Sequence, residues 1–465
     1  ESRYAASAYE MTKLGNPFIV TFDFQPDMWA TKPPLALWCQ AISIKIFGLN
    51  EFAVRFPSAM AALFACLAII LFCGKLKRPF VGFYAALILI VSKGIIYYYH
   101  VCRSADYEAM LLLWVTVYSL CFFLYCKEKK NRYLLGFFIA LSLSVLTKSV
   151  QAFIPLPSLF LYAMYKKSVK DILRNRTTYY GLLIFVLLVG TYYFGREIQN
   201  HGYLKAVWKE EIGGRYFNVI ENHKEPFGFY WQYIYKNYFS YFIWALPVAI
   251  VINWCIKIKN ENAVTKSLNK DLSIYTFGTA FLYTLIISCS QTKLEWYVII
   301  ALPFLALFIA LALEKIHFWL KDKTKLKFLP YIFLIAIFFF PYKNAVIKSL
   351  SLNRMNHEYN AGYNNRFWIM KRIEMGYLPY GNIAVIINGA DGWENRQDSY
   401  FYFYRMREAG VNVVYRNIID DVQIGDTLLV NTQQTMDIID TTFSYSTLLN
   451  EYDQKIVVIE NKKNL

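Results

Sequence analysis

Apolar runs close to the roughly 20 residues that a helix needs to cross a bilayer recur from residue 56 to residue 341. They fall at 56–73, 79–99, 106–126, 133–147, 150–165, 179–195, 238–256, 273–290, 296–313 and 326–341. A chain patterned this way is a polytopic α-helical membrane protein. Tyr and Trp near the ends of the runs fit an aromatic belt at the membrane surfaces.

The formal charge of +16 invites a nucleic-acid reading. Its distribution excludes one. The excess lies in short loops between spans, while Lys/Arg and Asp/Glu nearly balance after Pro341. The alternate loops GKLKRP, KEKKNR, KKSVKDILRNRTT, KIKNENAVTKSLNKD and EKIHFWLKDKTKLK are all basic. By the positive-inside rule they face the cytoplasm. Residues 1–55, the short loops HVCRSAD, TKSV and SQTKLE, the segment 196–237 and the tail then face outward. With residues 1–55 outside and the first span running inward, one more span is expected before Glu1.

Three domains are expected: residues 1–55 as an outer-face loop with interfacial helices, 56–341 as the transmembrane domain and 342–465 as an outer-face C-terminal domain. In the first, Tyr4, Ala8 and Met11 share one face of an amphipathic helix, with Arg3 and Glu10 elsewhere. Lys32 precedes Pro33-Pro34 and an apolar run, Leu35 to Phe47, that is short for a span. In 196–237, Tyr203 and Trp208 read as interfacial anchors and Gly213-Gly214 as a helix stop. In the tail, Ile383–Ile387, Val411–Tyr415, Thr427–Val430 and Ile456–Ile459 read as short buried strands. They alternate with helices near 394–409 and 432–440, the pattern of a small α/β domain. Cys66, Cys73, Cys121, Cys126 and Cys255 lie within spans and read as small apolar residues, with no disulfide framework.

The outward loops carry the chemistry. Arg103, Lys148 and Lys293 each stand in a very short loop, and Lys32 stands at the edge of the opening segment. Topology does not require cations on this side. One at a time, they read as snorkelling to lipid phosphate. Four at span ends fit a shared anionic ligand, for which a phosphate is the natural candidate. In CRSADYE, Arg103 and Asp106 are three apart and would share a face on a helical turn. Asp106 reads either as a local cap or ion-pair partner, or as a general base or metal ligand.

The segments ESRYAASAYEM, KPPLALW, FAVRFPSA, RSADYEAMLL, LTKS, HKEPFGFYW and KLEWYVIIALPFLAL occur in this order over roughly residues 1–313. This series resembles the integral-membrane glycosyltransferases that take sugars from polyprenyl-phosphate donors, among them the protein O-mannosyltransferases and the lipid A aminoarabinose transferases. The resemblance implies the GT-C membrane fold and an inner-membrane, multi-pass protein with its site on the periplasmic side. It implies attack by an acceptor on the anomeric carbon, with inversion, and with polyprenyl phosphate leaving. The acceptor would be a hydroxyl or phosphate of lipid A, a glycan or a protein.

Position by position, Glu1 matches the second acid of an Asp-Glu pair whose first member would precede residue 1. Together with Asp106 it would be catalytic. Arg3, Tyr4, Lys32, Arg103, Lys148, Lys293 and Tyr297 would line the donor phosphate. His223 matches a histidine that in the aminoarabinose enzyme shares a metal with a glutamate, whose place here is Thr31. His223 therefore reads as a ligand for a divalent metal (Mg, Mn or Zn) or as an interfacial histidine. The rival reading, a transporter or flippase of a lipid-linked sugar, would place ionisable residues and broken helices near the bilayer midplane.

Overall fold

The structure is a computed structural model that describes residues 2–96, 101–212, 224–255, 263–323, 328–358, 363–386, 393–417, 419–430, 432–451 and 454–463. Glu1 and His223 lie outside the described residues, as does Gly213-Gly214.

Helix α1 spans Ser2–Leu14. A hairpin of β1 (Thr21–Phe22) and β2 (Gln25–Pro26) follows, and then α2 (Leu35–Phe47). Helix α2 begins behind Pro33-Pro34, where a missing N–H leaves no bond unmade. It turns Leu37 and Ile44 inward and leaves Ile42 and Ile46 exposed. Exposed aliphatic side chains on so apolar a helix are suited to lipid rather than water.

The membrane part comprises α3 (Glu51–Lys75), α4 (Pro79–Val91), α5 (Lys93–Ile96), α6 (Glu108–Glu128), α7 (Asn131–Lys148), α8 (Leu156–Tyr165), α9 (Val169–Arg174), α10 (Arg176–Gln199), α11 (Tyr203–Val207), α12 (Phe229–Tyr233), α13 (Ala245–Ile250), α14 (Ala263–Ser288), α15 (Leu302–Lys323) and α16 (Leu329–Glu358). Among the described residues, seven helices are long and apolar enough to cross a membrane. Glu295–Lys323, which adds a 3-10 turn ahead of α15, lies at the centre of the bundle, 94% buried over its most apolar window. Asn50 caps α3 by accepting the Ala53 N–H at 2.9 Å.

Three expected spans are shorter or broken. The stretch 79–99 ends its first helix at Val91, where Ser92 turns extended and its hydroxyl donates to the Ile88 carbonyl. The stretch 150–165 is a 3-10 turn and the short α8, separated from α7 by Ser149 at φ +47°. In 238–256 the regular helix is α13, which passes into a π-helical turn at Val251–Cys255. The limits expected at 55 and 341 both fall inside helices, because α3 starts at Glu51 and α16 runs on through Pro341.

The C-terminal domain begins with α17 (Tyr363–Glu374). It continues through β3 (Asn382–Ile386), α18 (Trp393–Glu408), β4 (Asn412–Arg416), β5 (Thr427–Val430), α19 (Gln433–Thr442), β6 (Phe443–Glu451) and β7 (Gln454–Lys462). The sheet order is β4-β3-β5-β7-β6. Strands β3, β4 and β5 are parallel, while β7 runs antiparallel to β5 and β6. Strand β6 was not among the expected strands. It is an edge strand whose side chains are mostly exposed or half-buried, so no apolar alternation marks it.

Helix α1 is not a surface helix with a wet polar face. Residues Ala5 to Met11 are all buried, Glu10 completely so. The helix lies between α2 and α18, and the C-terminal domain covers the face that would otherwise meet water.

Candidate functional site

The site is built where helix ends meet. Glu108 opens α6 and Lys148 closes α7. The helices run antiparallel through a short turn at the opposite side, so these two ends come side by side. Lys148 donates to the Glu108 carboxylate, with both side chains at 5% exposure or less. A lysine this deep requires a nearby acid, because an unpaired buried charge is costly. The Lys148 ammonium also lies 4.9 Å from the centre of the Tyr297 ring. The Asp106 carboxylate is among the charges that face it.

Asp106 is buried at 8% exposure. Its Oδ1 accepts the Tyr107 N–H at 2.8 Å, and its carbonyl accepts the Ser58 hydroxyl at 3.3 Å. Residues 101–107 are turns rather than helix, so Arg103 and Asp106 do not share a helical face as expected. Arg103 is half-buried in this loop. Gln40 of α2 holds the loop by donating to the Ala105 carbonyl at 3.0 Å.

Tyr107 joins this group to the N-terminal segment. Its ring packs edge-to-face with Tyr4 at 4.8 Å, and the Lys32 ammonium stands 5.7 Å from its centre. Burial pushes the Tyr107 hydroxyl well above the ordinary phenol range, and the Asp106 charge adds to this. Tyr4, Lys32, Asp106, Lys148 and Tyr297 therefore belong to one neighbourhood, linked through Tyr107 and Glu108.

The strap Asp27–Lys32 is pinned from three elements. Arg3 of α1 pairs with the Asp27 carboxylate at 2.5 Å and lies over the rings of Phe22 and Trp29. Arg196 near the end of α10 is fully buried. It donates to the carbonyls of Ala30 (2.9 Å) and Asp27 (3.0 Å) and to the Tyr192 hydroxyl. Tyr203 of α11 donates to the Thr31 carbonyl at 2.7 Å, and the Thr31 hydroxyl donates to Glu211 at 2.8 Å. Tyr203 is thus a buried pin, not the interfacial anchor expected of it. Trp208 remains exposed.

Lys293 is buried in its own loop. Its ammonium donates to the Ser290 carbonyl at 2.6 Å. Burial pushes its pKa down. The loop is fixed by a bridge between Lys224 and Thr292 and by the Tyr230 hydroxyl, which accepts the Leu294 N–H. Its link to Lys148 runs through Tyr297, four residues on.

Sequence reasoning missed Glu108, Asp27 and Arg196. A signal existed for Glu108: a lysine at the end of an apolar run needs a counter-charge, and Glu108 starts the preceding one. None existed for Arg196, whose partners here are carbonyls and a phenol. Among the described residues, no three His, Cys, Asp or Glu side chains gather as a metal site needs. The Thr31 hydroxyl is engaged with Glu211.

Residues 31–193 match the family model described as dolichyl-phosphate-mannose-protein mannosyltransferase. The fold matches the crystal structure of ArnT from Cupriavidus metallidurans bound to undecaprenyl phosphate, with TM-score 0.67 over 98% of this chain and 93% of that one, at 12% identity. The chain has the fold of that protein, the GT-C type expected from the sequence. An undecaprenyl phosphate-alpha-4-amino-4-deoxy-L-arabinose arabinosyl transferase of Aeromonas hydrophila is 26% identical over 323 residues, 67% of this chain and 54% of that protein. An uncharacterized protein of Aquifex aeolicus is 27% identical over 315 residues, 67% of this chain and 58% of that protein. The chain thus spans little more than half the length of these relatives. The matched segment runs from Thr31 to Tyr193 and holds Lys32, Arg103, Asp106, Glu108 and Lys148.

Proposed function

We propose that the chain is an inverting glycosyltransferase that moves a sugar from a polyprenyl-phosphate donor to a hydroxyl or phosphate acceptor. The observation that carries this reading is the meeting of Lys32, Tyr4, Asp106, Lys148 and Tyr297 around Tyr107 and Glu108. These residues come from four distant parts of the chain and gather at helix ends. The basic loops stand at the other ends of α3, α6 and α7, so by the positive-inside rule the site opens on the extracytoplasmic, periplasmic side of the inner membrane.

The chemistry suits the residues. Departure of a polyprenyl phosphate builds negative charge on its oxygens, and fixed cations lower that barrier. Lys32 and Arg103 stand at half-buried positions suited to such a group, with Lys148 behind them. Asp106 is the carboxylate placed to take the acceptor's proton. Arg3, Tyr4 and Tyr297 frame the donor side, and Lys293 supplies a further charge from its loop. A lipid-phosphate donor is supported by the Cupriavidus protein of the same fold, whose crystal structure holds undecaprenyl phosphate. Lipid A, a glycan and a protein all offer a suitable acceptor oxygen. A divalent metal at His223 is part of the same proposal, and no step above depends on it.

The test is transfer of sugar from an undecaprenyl-phosphate donor by the detergent-purified protein. Lys32→Ala and Asp106→Asn should each lower turnover by about a hundredfold or more. Unchanged turnover in both would reject the site.

A further inference from the structure

We infer that the C-terminal domain is a working part of this site: through Tyr400 and Tyr404 it positions the hairpin that carries Asp27 and Lys32. The inference rests on the donor-site reading above and adds a role for a domain whose own sequence has no catalytic motif.

The hairpin turn has an unusual backbone. Asp23 and Phe24 both lie at positive φ, +57° and +58°. Such turns favour Asn-Gly, because side chains other than Gly, Asn and Asp strain the left-handed conformation. Phe24 is therefore held in place by its surroundings. The Glu10 carboxylate of α1 accepts the Asp23 N–H at 2.9 Å and the Phe24 N–H at 3.0 Å. Two adjacent N–H groups on one anion form a nest that offsets the strain.

The C-terminal domain completes this cage. The Tyr404 hydroxyl of α18 donates to the same Glu10 carboxylate at 2.6 Å. The Tyr400 hydroxyl, one turn earlier, donates to the Asp23 carboxylate at 2.9 Å. Their rings pack on the hairpin, Tyr400 against Phe22 at 4.9 Å and Tyr404 against Phe24 at 5.6 Å. Both tyrosines are at most 1% exposed.

The hairpin leads straight into the strap. The Asp27 N–H donates to the Val20 carbonyl at 2.9 Å, closing the hairpin, and the Asp27 carboxylate receives Arg3. Its other oxygen accepts the Trp29 N–H. Lys32 follows within the same pinned segment. A continuous set of contacts thus runs from α18 through the turn to the donor-facing lysine. Tyr400, Tyr404 and Glu10 are positioning residues and touch no reacting atom.

The experiment uses the full chain in detergent. Tyr400→Phe/Tyr404→Phe removes two hydroxyls and keeps the rings, and Tyr400→Phe alone is the milder form. Arg372→Met breaks an ion pair with Glu451 inside the C-terminal domain, away from the hairpin, and is the control for general loosening. Hydrogen exchange of residues 20–32 and affinity for undecaprenyl phosphate are read on each variant.

The double variant should lose about tenfold in amide protection over 20–32 and about tenfold in affinity, with Arg372→Met near wild type in both. Unchanged protection in the double variant overturns the inference. So does lost protection with unchanged affinity, or an equal loss in Arg372→Met. Lys32→Ala is measured in parallel. Unchanged affinity there counts against the donor-site reading, and the exchange data still decide the coupling.

Discussion

Lys148 at the end of α7 and Glu108 at the start of α6 form a buried ion pair that locks two neighbouring membrane helices at the edge of the site. Removing one partner leaves the other charge unpaired in a low-dielectric setting. Glu108→Gln or Lys148→Met should each cost about 3–5 kcal/mol. Thermal unfolding in detergent checks this. Glu108→Gln combined with Lys148→Met should recover most of the stability but not the activity, which separates the packing role from the electrostatic one.

Arg196 is fully buried, and its hydrogen-bond partners in the strap and on α10 are uncharged. Its five donors in a planar fork suit two carbonyls and a phenol at once, while an ammonium has no such geometry. Arg196→Lys should retain the fold and lose about tenfold or more in donor affinity. Arg196→Met should lose more. Equal affinity in the lysine variant and wild type would show that the strap does not need the fork.

Glu10 provides a pH test. Burial raises its pKa above the ordinary 4.5, and its hydrogen bonds with Tyr404 and the Asp23 and Phe24 amides only partly oppose this. A carboxyl whose folded pKa is raised takes up a proton on folding. Its contribution to stability is full below the ordinary value and is lost as pH rises through the raised one. Stability measured from pH 4 upward should therefore contain a falling component that Glu10→Gln removes. A wild-type and Glu10→Gln pair with parallel pH profiles would refute this.

The opposite ends of the helices offer a contrast. Arg78 binds Glu314 and Asn269 between the α3–α4 turn, α15 and α14. Arg78→Met should lower the unfolding temperature by several degrees and leave affinity for undecaprenyl phosphate unchanged. A drop in affinity larger than the drop in stability would mean that the two ends communicate.

Much of this was legible in the primary structure. The apolar run Leu35–Phe47 matches α2 at both ends, because Pro-Pro before it and Gly48 after it are strong local signals. Strands β3, β4, β5 and β7 followed from short β-branched runs between turn residues. Lys32 and Lys148 stood out because cations at outer span ends conflict with topology. What escaped notice depends on partners far away in the chain. Glu10 looked like a polar helix face, and only the covering α18 explains its burial. Tyr203 carried the mark of an interfacial aromatic, yet its hydroxyl is used by the Thr31 carbonyl. Periodicity reports that a face is polar and does not report whether water or another domain will satisfy it.

Helix α16 contains 30 residues. At 1.5 Å per residue that is about 45 Å, half as long again as the hydrocarbon layer of about 30 Å. The surplus of about 15 Å leaves room for the helix to tilt or to carry its final turns beyond the hydrocarbon layer.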